Sequence, residues 1–449
     1  MEDDISKISQ KTEYDRNEQK YVEYLKNNPI PVPLKKQLDW LDLELGMFIH
    51  FGINTYHDME WSDGTLDPKT FNPVDDLDCN QWVQVAKDLG AGYIVLTAKH
   101  HDGFCLWQTE TTDYSVKSSP WKDGKGDVVR EFIEACKREN MPHGLYLSPW
   151  DRHEPCYPDK EAYDKFYEKQ LTELCTLFDT KFVELWFDGA GSVGREYDWK
   201  SIIGVCKKHQ PQAIIFNMGE PTIRWAGNEA GTAPYPLWNV ISKDEYGGLK
   251  EDKPDYLWLP AECDMPIRFH TWFYNTKNEW AVSPPEELMK CYVWSVGRGA
   301  NLLLNITPDR RGLMPDADWD SAKAFGAAVK QFFSNSIAST SGKGNVLELS
   351  IPGDRPSKIS HLIIQEDIEK GQRVKKYVIE YQDSSGNWEK LVDGSTIGHK
   401  KIDFFKPIET SKLKLEIMDS YLKPVIKSFN AYYSEDFEEY REYIQEEYL

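Results

Sequence analysis

The sequence predicts an α/β chain: a (β/α)8-type barrel followed by a C-terminal antiparallel β-sandwich. Strand-like apolar runs alternate with helical patterns over roughly three hundred residues. Polar and charged residues gather at the C-terminal ends of those runs, the face on which such barrels build their sites. Past Ser341-Gly342-Lys343-Gly344 the texture changes to short strands separated by turns, which reads as a sandwich. The length suits a closed barrel better than an open sheet, and no Gly-x-Gly-x-x-Gly follows any strand, which weakens a dinucleotide-binding alternative.

In chain order, residues 1–36 form a lead-in. Its charged, partly amphipathic helix ends where Pro29, Pro31 and Pro33 impose an extended segment. The barrel is expected over 37–341, with strands at 46–52, 91–101, 143–148, 182–187, 213–217, 256–260 and 301–306. Helices with apolar faces are expected at 80–89, 127–140, 159–178, 199–209, 285–297 and 318–334. The sandwich is expected over 342–449, with strands at 346–349, 359–364, 374–381, 388–392 and 412–417.

Composition narrows the function. A net charge of −21 argues against nucleic acid or an anionic membrane surface and suits a neutral substrate such as a glycan. Sixteen Trp and 24 Tyr fit carbohydrate platforms, although large cores use them too. The eight cysteines form no Cys-x-x-Cys pair and read as mostly buried thiols. No apolar run approaches the ~20 residues of a membrane span. The charged N-terminus has no apolar core, so no secretory signal is expected in the chain as written, with a periplasmic or secreted location if one was removed. Compartment and oligomeric state are otherwise open.

Five clusters carry candidate chemistry. The run from Lys181 to Phe187 is a strand that delivers Asp188 to its end beside Trp186, with Tyr146 near the end of the preceding strand. His50 ends the first strand, and Glu60-Trp61 follows. Lys99-His100-His101-Asp102 ends the second. Its histidines are expected to recognise hydroxyls; as metal ligands they lack the His-x-His or His-x-x-x-His spacing that presents two on one face, so neither metal nor cofactor is expected. Arg224-Trp225-Ala226-Gly227-Asn228-Glu229 lies in a Gly-punctuated loop, and Glu262 follows Leu259-Pro260-Ala261. Glycoside cleavage usually needs two carboxyl groups across one bond. Asp188 is the best nucleophile, which leaves Glu229 or Glu262 as the acid/base.

Phe48-Ile49-His50-Phe51-Gly52, Glu60-Trp61, Lys99-His100-His101-Asp102-Gly103-Phe104, Trp186-Phe187-Asp188-Gly189 and Asn301-Leu302-Leu303-Leu304-Asn305 together resemble the α-L-fucosidases of glycoside hydrolase family 29. The resemblance implies a retaining mechanism with Asp188 as nucleophile. It implies fucose hydroxyls held by His50, Glu60, His100, His101 and Tyr146, with Trp186 near the sugar; Trp61 is a further substrate-binding candidate. The loop bearing Arg224, Trp225 and Asn228 resembles the subfamily that removes α-1,3/4-linked fucose from branched, Lewis-type glycans, where Glu229 would be the acid/base. Two alternatives stand beside this: a metal-dependent hydrolase using His100, His101 and Asp102, and a non-catalytic glycan-binding protein.

Overall fold

The computed structural model describes residues 17–73 and 77–444. Of the expected lead-in, residues 1–16 lie outside the described residues, as do the last five residues of the expected sandwich. A helix over 17–25 (α1) opens the described chain, and α2 (Lys35–Leu41) follows the prolines.

The barrel strands run in chain order as β1 (Leu45–Ile49), β2 (Tyr93–Lys99), β3 (His143–Leu147), β4 (Glu184–Trp186), β5 (Ile214–Phe216) and β6 (Arg224–Trp225). A separate antiparallel hairpin, β7 (Val240–Ser242) and β8 (Tyr256–Trp258), precedes β9 (Ala261–Pro266) and β10 (Asn301–Asn305). The eight barrel strands lie in the order β5-β4-β3-β2-β1-β10-β9-β6, all parallel, and a parallel bridge from Phe216 to Ile223 closes the ring. The expected strand at 256–260 is therefore corrected. Its apolar residues belong to the hairpin and its end, and the sixth and seventh barrel strands are β6 and β9. No helix separates β5 from β6, which is why the βα rhythm failed as a guide there.

Around the ring pack α3 (Cys79–Leu89), α4 (Val128–Arg138), α5 (Lys160–Thr176), α6 (Trp199–His209), α7 (Pro285–Ser295) and α8 (Asp316–Phe333). Four of these start the same way: Asp78, Asp127, Asp159 and Asp198 each accept a hydrogen bond from a first-turn backbone N–H. Each such cap is worth about 1 kcal/mol. Opposite the active face, α2 plugs the barrel and puts Trp40 into the lumen beside Phe48, Tyr93, Tyr146, Trp186 and Leu303.

The C-terminal sheets are β11 (Ala338–Lys343), β12 (Val346–Ser350), β13 (Ser357–Glu366), β14 (Val374–Gln382), β15 (Trp388–Gly394), β16 (Lys401–Thr410), β17 (Lys412–Ser420) and β18 (Val425–Tyr432). They form two four-stranded antiparallel sheets, β11-β18-β13-β16 and β12-β17-β14-β15, over a shared apolar core that includes Ile359, Tyr377, Leu415 and Phe429. Because β11 starts at Ala338, sandwich structure begins ahead of residue 342. A last helix, α9 (Phe437–Ile444), returns to the barrel, where Tyr440 packs on Phe332.

Candidate active site

Strand alternation builds the site in layers. On β4 the inward positions are Glu184 and Trp186, and two residues further on comes Asp188; on β9 they are Glu262 and, one layer nearer the mouth, Asp264. Tyr146, Trp186 and Phe216 sit side by side in register on β3, β4 and β5. Trp186 stacks 3.9 Å from Phe216 and 5.2 Å from Tyr146 between ring centroids, which makes an aromatic floor.

Above that floor is a cavity of about 520 Å³. Its lining includes His50, Glu60, Trp61, His100, His101, Trp186, Asp188, Trp225 and Glu229, so nine of the sequence candidates converge there. Tyr146 reaches it through Asp188, donating from its hydroxyl to Asp188 Oδ2 at 3.1 Å. Asp188 Oδ1 accepts from the Ala190 amide at 2.8 Å, and His101 Nε2 lies 3.5 Å from Oδ2. Burial raises the Asp188 carboxyl above its ordinary value, and the Ala190 and Tyr146 donors oppose that by stabilising the anion.

The histidines are set as hydrogen-bond acceptors. Asn305 Oδ1 accepts from the His50 backbone and lies 2.9 Å from its Nδ1, while the Asn305 amide nitrogen donates to Trp272 O. A carbonyl oxygen cannot donate, so His50 Nδ1 carries the proton and Nε2 keeps its lone pair. His101 Nδ1 meets Ser148 Oγ at 2.7 Å, and that hydroxyl donates onward to Trp150 O, so His101 Nε2 is likewise an acceptor. Burial pushes both imidazoles down to about 3, which keeps them neutral near neutrality. His101 Nε2 and Asp188 Oδ2 thus face each other as two acceptors, which leaves the His101 lone pair open to a donor. His100 Nδ1 is buried without a hydrogen-bond partner among the described residues.

Glu60 is held at Oε2 by the Trp272 backbone N–H at 2.8 Å, and its Oε1 is buried without a partner. Burial raises it to about 7, with Glu229 adding to the effect. The buried ammonium of Lys99 anchors the base of the His100-His101 turn, donating to Asp151 and Gln170 at 2.9 Å each. Asp102 accepts from Phe104 N and from Asn54 Nδ2 within that turn. Among the described residues, no group of three His, Cys, Asp or Glu is gathered as a metal site would require.

Three candidates do not line the cavity. Arg224 alternates with Trp225 on β6, so while Trp225 lines the cavity, Arg224 faces away and donates to Leu259 O and Trp238 O. Asn228 shapes its own loop, donating to Thr232 O and accepting from Ala230 N. Glu262, weighed as the alternative acid/base, is fully buried one layer below the cavity and binds Trp186 and Tyr93. The sequence reading assigned no role to four others. Asp264, Asn217, His270 and Trp272 line the cavity, and Asp264 accepts from Trp225 Nε1 at 2.7 Å. The two-residue period from Glu262 would have pointed to Asp264, had β9 been read as a strand.

Comparison with known proteins matches this arrangement. The α-L-fucosidase family model covers residues 10–332. Alpha-L-fucosidase 1 of Arabidopsis thaliana is 37% identical over 449 residues, spanning 90% of this chain and 88% of that protein. Human plasma alpha-L-fucosidase is 30% identical over 276 residues, 57% of this chain and 54% of the human one. A Ruminococcus gnavus GH29 fucosidase, solved in complex with fucose, superposes with a TM-score of 0.81 at 31% identity, covering 92% of this chain and 97% of that one. The chain belongs to the α-L-fucosidase family, glycoside hydrolase family 29.

Proposed function

We propose that this enzyme is a retaining exo-α-L-fucosidase that removes terminal fucose joined α-1,3/4 to branched, Lewis-type glycans. The observation that carries the reading is one cavity holding the Asp188 carboxyl, hydrogen-bonded by two donors, together with Glu229 on an exposed loop. In the first step Asp188 attacks the anomeric carbon, the bond to the leaving sugar breaks, and Glu229 delivers a proton to the departing oxygen. In the second, Glu229 takes a proton from water, whose oxygen attacks the same carbon and releases Asp188 as carboxylate. Two displacements restore the starting configuration.

The neutral imidazoles of His50 and His101 accept from fucose hydroxyls, and Trp61, half exposed at 52%, offers an aromatic edge at the mouth. Glu229 is favoured over the other cavity acids because Glu60 is tied to Trp272 and Asp264 to Trp225. The fucose bound in the Ruminococcus relative supports the same sugar for this cavity. The linkage rests on the likeness of the Trp225–Glu229 loop to that subfamily.

Azide rescue tests the acid/base. Glu229→Gln should lose about 10²- to 10⁴-fold on substrates with poor leaving groups. Turnover of an activated aryl fucoside should return with azide, with fucosyl azide as product. Rescue of Glu60→Gln, and not of Glu229→Gln, would move the role to Glu60. Faster release of fucose from 2′-fucosyllactose than from Lewis-type trisaccharides would overturn the linkage.

A further inference from the structure

Between β9 and α7 the chain forms a strap, residues 267–283, that runs to the cavity mouth and back. Its two legs pair: Arg268 bridges antiparallel to Val282, Phe269 N donates to Ala281 O at 3.1 Å, and Ser283 N donates to Ile267 O at 2.8 Å. The first leg carries part of the site. Trp272 lines the cavity 5.1 Å from His50 between ring centroids, and Phe273 lies 5.5 Å from His50 and 5.0 Å from His100. The Trp272 N–H donates to Glu60 Oε2 at 2.8 Å, which leaves Oε1 buried and without a partner among the described residues. Further along, Thr276 donates from its N–H and its hydroxyl to the Asp58 carboxylate at 3.0 and 2.7 Å, so the strap holds segment 58–60 at both ends.

The base of the strap is gripped by α8. Asp318 and Ser321 lie three apart on that helix and so share a face. Asp318 accepts from Arg268 Nε at 3.0 Å on Oδ1 and 2.9 Å on Oδ2, and Ser321 Oγ donates to Ser283 O at 2.6 Å. Each leg is thus fastened once. Arg268 also ties the legs together, donating from Nη1 to Asn278 O at 3.2 Å, with its guanidinium 5.2 Å from the Tyr274 ring. Asp318 is fully buried and Arg268 is 3% exposed, yet neither lines the cavity. A buried ion pair adds little net stability over apolar residues of the same volume, so what this pair contributes is the geometry it fixes.

We propose that Arg268, Asp318 and Ser321 are positioning residues for sugar binding: their grip on the strap sets where the Trp272 N–H meets Glu60, and so aims the free Glu60 oxygen at a substrate hydroxyl. The path runs from α8 through Arg268 and the first leg to Trp272, and from Trp272 to Glu60. The effect on binding rests on the cavity as the fucose site; the grip on the strap does not.

The paired change Arg268→Met with Asp318→Leu removes both charges together, so neither is left buried alone. Hydrogen exchange read by mass spectrometry should quicken about tenfold or more in peptides covering 267–283 and 58–60, with β1 to β5 as in wild type. KM for an aryl α-L-fucoside should rise about tenfold with kcat within about twofold, the split expected when binding is lost equally in ground and transition states. In a Glu60→Ala background the same pair of changes should raise KM by less than about twofold, because the group it acts through is already gone. Wild-type exchange across the strap would overturn the grip. Faster exchange with unchanged KM would overturn the role in binding, and a full tenfold effect in the Glu60→Ala background would overturn the route through Glu60. If the paired variant does not fold, Ser321→Ala keeps the ion pair and cuts the other fastening. It should quicken exchange in the same peptides and raise KM about two- to threefold, and wild-type values of both would count against the grip.

Discussion

Tyr146→Phe isolates the hydrogen bond that sets the charge state of Asp188. The ring is fully buried and stacked on Trp186, so the substitution removes an oxygen and leaves the packing in place. The lost bond is 3.1 Å long and ends on a carboxylate with 24% of its side chain exposed. A hydrogen bond to a charged group is worth about 1.5–3 kcal/mol, or about 1–2 pKa units. Burial already raises Asp188, and Tyr146 is one of the donors that oppose it, so the substitution raises the carboxyl further. As the proposed nucleophile Asp188 must be ionised, so the active window contracts from its acid side. The assay is the pH dependence of kcat/KM on an aryl α-L-fucoside. The acid limb should move up by about one unit or more, costing about tenfold at a pH below the limb and little well above it. An acid limb that stays in place or moves down would refute the claim that Tyr146 stabilises the Asp188 anion.

Two further substitutions probe the rest of the site. Asn305→Leu removes the group that fixes the His50 tautomer, so KM for aryl fucosides should rise while Tm falls by only a few degrees; unchanged KM would show that the His50 lone pair does not meet the sugar. Arg224→Met should act on stability alone, since its donors go to the Leu259 and Trp238 carbonyls: a loss of about 1–3 kcal/mol in chemical denaturation with kcat/KM of the folded enzyme within about twofold.

The sequence was most legible where strand and site coincide. The strands β1 to β5 and β10 carry apolar runs, and the residues just past them, His50, His100, His101 and Asp188, arrive in the cavity because a barrel presents its strand ends together. Legibility failed between residues 217 and 266. There β6 is two residues long and β9 reads Ala-Glu-Cys-Asp-Met-Pro, with two acids inside a barrel strand, so neither looks like a buried strand. That misreading put Glu262 in a loop where an acid/base belongs, and treated Arg224 and Trp225 as neighbours on one surface when they alternate. A carboxyl in the lumen is intelligible only with Tyr93 and Trp186 around it, and those contacts join strands far apart in the chain.

The central claim is a covalent bond between fucose and Asp188. Incubation with a 2-deoxy-2-fluoro-fucosyl fluoride slows both displacements but leaves a good leaving group for the first, so the intermediate accumulates. Intact-mass and peptide mass spectrometry should show one added fluorofucosyl group, located on Asp188. Capture of the sugar on Glu60, Glu229 or Asp264, or a first-formed product of inverted anomeric configuration, would contradict it.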